Sequence, residues 1–394
     1  MSVAEATHRS PTPDVPAAST APGAGWDRWR RLDGIRFPVA VFAVWRICQA
    51  AVVWWHGGRL TELAYTYDGA HYLRILHYGY SHPRPLMPSH AFFPGVPWMA
   101  TPVRWLTGSD IVAVHLIATL TAVAAFVAVW GVAREWTDER TARRAVVLLA
   151  IFPSSLFLWQ FYSEAAFIAL GAGAVWADRR NRPVVAAACF AGLATTRSVG
   201  IVVPLVIVAV RIARERRIDR VAVGYAAAGA AGLGAVLLTM QVQLGDAFAF
   251  LGVQEDWGRT VSWPWASVSQ GVDNLTPDPR TVMVPALVAR NLDLWTVAIV
   301  LFAIVYLVMS RRPRFPVESW LLGLAMIALP LCSSVLASFN RFAMADWVIY
   351  PAWASMLGRL PTWWRRAALA VLVVASVVTT YQLLGRVVVG RFIG

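Results

Sequence analysis

Residues 111–132, IVAVHLIATLTAVAAFVAVWGV, carry no formal charge and one polar ring, His115. About 20 consecutive apolar residues are what a helix needs to cross the hydrocarbon core of a bilayer. The same pattern recurs outward in both directions, near 37–55, 145–161, 164–177, 183–196, 198–212, 221–242, 291–310, 318–337, 342–358 and 367–385. Across all 394 residues, 58% are hydrophobic and only 14% charged. A soluble protein averages about 25% charged residues and could not clothe its surface with so few. The expectation is an all-α, polytopic integral membrane protein with about 11 transmembrane helices.

Charge placement orients those spans. The net charge of +13 raises the question of nucleic acid, but all 35 basic side chains are arginines set in short segments between apolar runs. These segments are Arg134 to Arg144, Asp178 to Arg182, Arg211 to Arg220, Arg311 to Arg314 and Arg359 to Arg366. With the N-terminal tail they hold roughly two-thirds of the arginines, the bias that marks cytoplasmic loops. Nucleic acid is therefore not an expected partner; membrane lipids are. Residues 1–36, rich in Pro, Ala, Ser and Thr over their first part, read as a disordered cytoplasmic tail without a cleavable signal. Residues 37–388 form the membrane domain, and 389–394 a short C-terminal tail. Cys48, Cys189 and Cys332 lie in apolar segments without metal-ligand spacing, which suits small core residues.

Two long loops, roughly 56–110 and 243–290, fall on the outer side and carry most of the chemistry. In the first, Asp68 follows Tyr67, and a helix over 67–80 places His71 and Tyr72 on the Asp68 face at i+3 and i+4. Asp68 there fits either a general base or a helix N-cap. Glu164 stands in a tight turn between two short spans, where an acid is costly unless paired or hydrated. Arg197 and Arg341 stand at outer span ends, as phosphate ligands or as interfacial anchors. The second loop brings Gln254, Glu255, Asp256, Trp257 and Arg259 together, a set suited to stacking under a sugar and bonding its edge. Five of the seven histidines lie in or beside the first loop, at spacings that match no metal motif. No Gly-rich phosphate loop is present, so a nucleotide cofactor is not expected.

The order of these motifs resembles one family. Tyr67-Asp68, then Gly79-Tyr80, then Ala91-Phe92-Phe93-Pro94-Gly95-Val96-Pro97 is similar to the first outer loop of PIG-V-type mannosyltransferases, membrane glycosyltransferases of the GT-C class. Tyr67 stands where that family has tryptophan. Phe152-Pro153-Ser154-Ser155 with Tyr162-Ser163-Glu164, Ala191-Gly192 with Arg197-Ser198-Val199-Gly200, Gly245-Asp246 with Gln254, Trp257 and Arg259, and Asn340-Arg341-Phe342 resemble further family segments.

The resemblance implies a GT-C fold and transfer of mannose from a polyprenyl-phosphate-mannose donor to an extracytoplasmic glycan or glycolipid acceptor. Asp68 and Glu164 are then the catalytic acids, with Asp68 as base in an inverting displacement. Tyr67, His71, Tyr72, Arg197, Gln254, Trp257, Arg259 and Arg341 are substrate-binding candidates. A divalent cation held by Asp68 and Glu164, and a site working without one, both fit the sequence. Arginine-only usage and the bacterial relatives imply a cell (plasma) membrane location. Competing expectations are a transferase for another lipid-phosphate sugar, such as arabinofuranose, and a transporter or flippase for a lipid-linked substrate.

Overall fold

The computed structural model describes residues 24–59, 61, 66–81, 88–256, 258–273 and 284–388. Among them the chain is helical, with one isolated bridge between Val261 and Ser333 in place of any sheet. It divides into two units, Met1–Arg36 and Phe37–Gly394.

The helices, in order, are α1 (Ala24–Trp55), α2 (Asp68–Tyr78), α3 (Gly95–Thr107), α4 (Asp110–Trp136), α5 (Glu139–Ala150), α6 (Glu164–Arg179), α7 (Pro183–Ala194) and α8 (Val202–Glu215). They continue as α9 (Arg220–Leu244), α10 (Ala249–Asp256), α11 (Pro264–Asp273), α12 (Val284–Met309), α13 (Val317–Leu331), α14 (Phe339–Ala345), α15 (Ile349–Arg359) and α16 (Thr362–Val388). Five are long and apolar enough to cross a membrane: Gly34–Trp55, Asp110–Trp136, Arg220–Leu244, Leu292–Met309 and Thr362–Tyr381. The protein is a multi-pass membrane protein.

Local sequence explains where these helices start. The Ser109 hydroxyl accepts the Val112 N–H, the Asp138 carboxylate the Thr141 N–H at 2.9 Å and Asp219 the Ala222 N–H at 2.8 Å. Each fills one of the donors that a helix N-terminus leaves open. The core forms where α4 packs on α5 and α6, and α7 lies between α6 and α9. Trp130, Phe126, Phe167 and Phe190 fill it completely buried. Gly131 lets Trp176 lie flat on α4, because a Cβ there would stand 2.3 Å from the indole.

Two expected spans are broken. The run 145–161 stops being α-helical at Ala150, and a 3-10 turn, Ser155–Trp159, follows. Pro153 explains it, lacking an N–H and clashing with the carbonyl a turn earlier. The run 342–358 is split between α14 and α15 at Asp346-Trp347-Val348, because Pro351 cannot extend a helix from that side. Both unwound pieces are buried in protein, where backbone groups can find partners away from lipid. The cysteines also differ from expectation: Cys48 is exposed, and Cys189 and Cys332 are half-buried. An apolar residue facing lipid is indistinguishable by composition from one facing a core.

Candidate active site

A cavity of about 350 Å³ opens where the first long loop meets the unwound segments. Tyr67, Asp68, Tyr72, Gln254, Arg197, Arg259 and Arg341 all line it.

Asp68 is the first residue of α2. The residue before it, Tyr67, takes φ +49°, a region that non-glycine residues rarely enter. Strain of this kind costs about 1–3 kcal/mol and persists only where surrounding contacts impose it. No side chain caps α2, so Asp68 does not act as an N-cap. Instead its Oδ2 accepts a hydrogen bond from Arg341 Nη2 at 2.6 Å. The far end of α2 is set by Gly79 (φ +61°), where a Cβ would meet the Gln243 amide at 2.4 Å. Gln243 accepts the Tyr80 N–H, and the Tyr80 hydroxyl donates to the Phe92 carbonyl at 2.7 Å. Gly95 likewise approaches Thr195, its N–H donating to that carbonyl at 2.9 Å, so the Phe-Phe-Pro-Gly segment lies against the turn carrying Arg197.

Glu164 opens α6 and is wholly buried. Its Oε1 accepts from Arg341 Nε at 2.9 Å and Nη2 at 2.6 Å, and lies 3.5 Å from Arg197 Nη1. Glu164 Oε2 and Arg197 Nη1 have no hydrogen-bond partner among the described residues. Arg341 bridges both acids, its guanidinium lying against the stacked Phe157 and Tyr162 rings at 4.8 Å from each centroid. Arg197 and Arg259 flank the Phe342 ring at 4.6 and 5.6 Å. Three guanidinium groups line or border the cavity, with Asp68 and Glu164 against Arg341 and Asp293 within electrostatic reach of Arg259.

Neighbouring groups respond to this field. Burial, reinforced by the Glu164 charge, raises the Tyr72 phenol above its ordinary range, and burial alone raises Tyr67. Burial lowers Arg259, with repulsion from Arg341 and Arg197 adding to it. Burial also lowers the His71 imidazole, against the pull of Asp68.

His71 does not line the cavity. Its Nδ1 lies 3.1 Å from the Ser89 hydroxyl, and its ring stacks on Phe92 at 4.7 Å, so it braces the loop behind Asp68. Of the second-loop set, Gln254 and Arg259 reach the cavity, Glu255 and Asp256 are exposed, and Trp257 lies outside the described residues, as does His82. His56 bonds the Tyr381 carbonyl and His77 pairs with Asp110 at 2.8 Å. Among the described residues no three His, Cys, Asp or Glu groups gather around one metal position. A divalent ion between Asp68 and Glu164 would have to displace Arg341 from the place it holds.

Sequence reasoning passed over Asp293. From α12 its Oδ2 accepts the Ser338 N–H at 3.0 Å, and its Oδ1 accepts the Asn340 N–H at 2.7 Å and the Asn340 amide at 2.6 Å. These bonds hold the left-handed Ser338 (φ +64°) and start α14 two residues before Arg341. A lone acid in an apolar run was the available signal.

With broken helices around this cavity, the chain has a fold similar to that of the GT-C membrane enzymes. The chain is similar to the crystal structure of the Archaeoglobus fulgidus oligosaccharyltransferase in the apo form, at TM-score 0.51 and 14% identity over 91% of this chain and 56% of that one. It is similar to ArnT from Cupriavidus metallidurans bound to undecaprenyl phosphate, at TM-score 0.52 and 16% identity over 89% of this chain and 77% of that one. The archaeal AglB from the same A. fulgidus, in complex with an inhibitory peptide and a dolichol-phosphate, gives TM-score 0.51 and 14% identity over 91% and 56% of the two chains. The chain thus spans little more than half the length of the archaeal enzyme. The family model described as dolichyl-phosphate-mannose-protein mannosyltransferase matches residues 82–240. No curated protein matches the chain significantly.

Proposed function

We propose that this protein is a membrane glycosyltransferase that moves mannose from a polyprenyl-phosphate-mannose donor to a glycan or glycolipid acceptor, with inversion at the anomeric carbon. The observation that carries this reading is the convergence of Asp68, Arg197, Arg259 and Arg341 on one cavity, with Glu164 buried behind Arg341 and Arg197. The match of residues 82–240 to a mannosyltransferase family supports the sugar, and the likeness to structures holding lipid phosphates supports the donor class.

In this reading the donor phosphate sits among Arg197, Arg259 and Arg341. Arg197 and Arg259 both line the cavity where it would lie. An Asp68 oxygen takes the proton of the acceptor hydroxyl as that oxygen attacks the anomeric carbon. The carbon–phosphate oxygen bond breaks on the opposite face, and its electron pair leaves on the phosphate, where the guanidinium groups stabilise the added charge. One carboxylate base suffices for such a displacement. Arg341 links the two events: it bonds Asp68, and an entering phosphate competes for the same N–H groups. Glu164, shielded from the cavity's water, keeps Arg341 in place. Gln254 and Tyr67 line the side where the acceptor sugar would lie. The protein sits in the plasma membrane with its N-terminus cytoplasmic and this cavity extracytoplasmic.

The test is transfer of radiolabelled mannose from synthetic polyprenyl-phosphate-mannose in proteoliposomes, comparing wild type with Asp68→Asn. Product from wild type alone supports the assignment. Equal product from both, with both folded, removes Asp68 as the base; product only from other polyprenyl-phosphate sugars removes mannose.

A further inference from the structure

Behind the cavity, on the other side of the unwound 151–163 segment, lies a second polar cluster that the proposed reaction does not use. Arg46, in the middle of α1, places its guanidinium carbon 3.2 Å from the centroid of the Trp159 ring. It forms no ion pair among the described residues, and its Nη1 is buried without a hydrogen-bond partner. His115 of α4 lies within electrostatic reach of Arg46, and its Nε2 is also buried and unpartnered. Gln160, next to Trp159, is 3% exposed, and both polar atoms of its amide lack partners. Gln49, one turn beyond Arg46 on α1, repeats this at 3% exposure. The segment itself is fixed against α1 by the hydrogen bond from Trp45 Nε1 to Ser155 Oγ at 3.1 Å.

Such groups do not stay unpaired at bilayer depth. A cation within a span is costly without a counter-charge. Each unpartnered buried amide or ring atom adds to that cost. The Trp159 face offsets part of the guanidinium charge, yet leaves Nη1 and the amide N–H groups unanswered. Arg46 lies roughly 14 Å along the helix from Trp55, at 1.5 Å per residue. Arg46 and His115 are half-buried, and their chain neighbours Ile47 and Leu116 are exposed, so the cluster lies near the outer face of α1 and α4. It is cationic and supplied with N–H donors, and no carboxylate answers it.

We propose that Arg46, Gln49, His115 and Gln160 form an intramembrane anion site that takes a phosphate group, distinct from the cavity around Asp68. Phosphate fits because it accepts several charge-assisted bonds at once and supplies the missing negative charge. Its source is either a phospholipid entering sideways or free phosphate.

The experiment is cryo-electron microscopy of the full chain in two kinds of nanodisc. One contains phosphatidylglycerol; the other contains galactosyl diacylglycerol, which has no phosphate, with added inorganic phosphate. Tetrahedral density within hydrogen-bond distance of Arg46 with attached acyl chains in the first identifies a lipid headgroup. The same density without chains in the second identifies the free anion. Separate water peaks alone in both overturn the proposal. Native mass spectrometry with phosphatidylglycerol provides a second readout that survives a poorly folding variant. Gln160→Leu, which keeps the Arg46 charge, is expected to weaken one bound equivalent about tenfold, and Arg46→Met further. Unchanged binding in Gln160→Leu and Arg46→Met also overturns it.

Discussion

Two charge clusters stand near opposite ends of the helices, and they are built differently. At the cavity, Asp68, Glu164, Arg197 and Arg341 meet with atoms left over: Glu164 Oε2 and Arg197 Nη1 have no hydrogen-bond partner. At the other end, Arg211 donates twice to Asp219, through Nε at 2.9 Å and through Nη2 at 2.5 Å. Asp219 also caps α9, Asp178 accepts from the Tyr225 hydroxyl at 2.7 Å, and Glu318 lies 3.2 Å from Arg214 and 3.8 Å from Arg179. The second cluster satisfies itself and ties α6, α8, α9 and α13 together. The first leaves two buried polar atoms without hydrogen-bond partners among the described residues. Charges that stabilise a fold pair off; charges that await a ligand keep donors and acceptors in reserve, at a cost the rest of the fold must offset.

Substitutions test that contrast. The largest expected effect is at Asp68: Asp68→Asn should lower turnover by about 10²–10⁴, the range of a lost general base, with the melting temperature nearly unchanged. An equal loss in turnover from Asp219→Asn would erase the distinction between the clusters. Next is Glu164→Gln, which leaves Arg341 short of a buried counter-charge. Destabilisation of about 3 kcal/mol is expected, read as a lower midpoint of thermal unfolding in detergent. Arg197→Met should raise the KM for the lipid donor about tenfold with turnover changed far less, because the guanidinium is assigned to binding. The smallest effect concerns Asp219, which its bonds from Arg211 and from the Ala222 N–H hold down to about 2. A depressed carboxylate stabilises the fold above its unfolded value of about 3.9, and that stabilisation is lost as pH falls toward 2. Asp219→Asn should therefore leave transfer intact while flattening the fall in melting temperature between pH about 4 and about 2.

Much of the cavity was legible one motif at a time. The Asp68 helix appears as Asp68–Tyr78, and Asp68, Tyr72, Arg197, Gln254, Arg259 and Arg341, chosen from separate segments, all line one cavity. His71 was misplaced by helix geometry alone, because i+3 spacing puts it on the Asp68 face yet Phe92 and Ser89 draw its ring behind the loop. The aromatic shelf of Phe157 and Tyr162 went unread, since aromatic residues in a membrane chain look like interfacial anchors until an arginine is seen lying against them.

The sequence by itself determined that the chain crosses a membrane many times, because hydropathy is summed locally over about 20 residues and needs no knowledge of neighbours. The stop of α5 has a local cause too, since Pro153 acts within one turn, but the apolar run 145–161 hid it. Only the tertiary structure decided that Arg341 would reach Asp68 and Glu164 across separations of 273 and 177 residues, and that Asp293 would hold the turn presenting it. A charge pair leaves no periodic mark in the chain. Which acid an arginine answers depends on where packing carries both, and packing is a property of the whole fold.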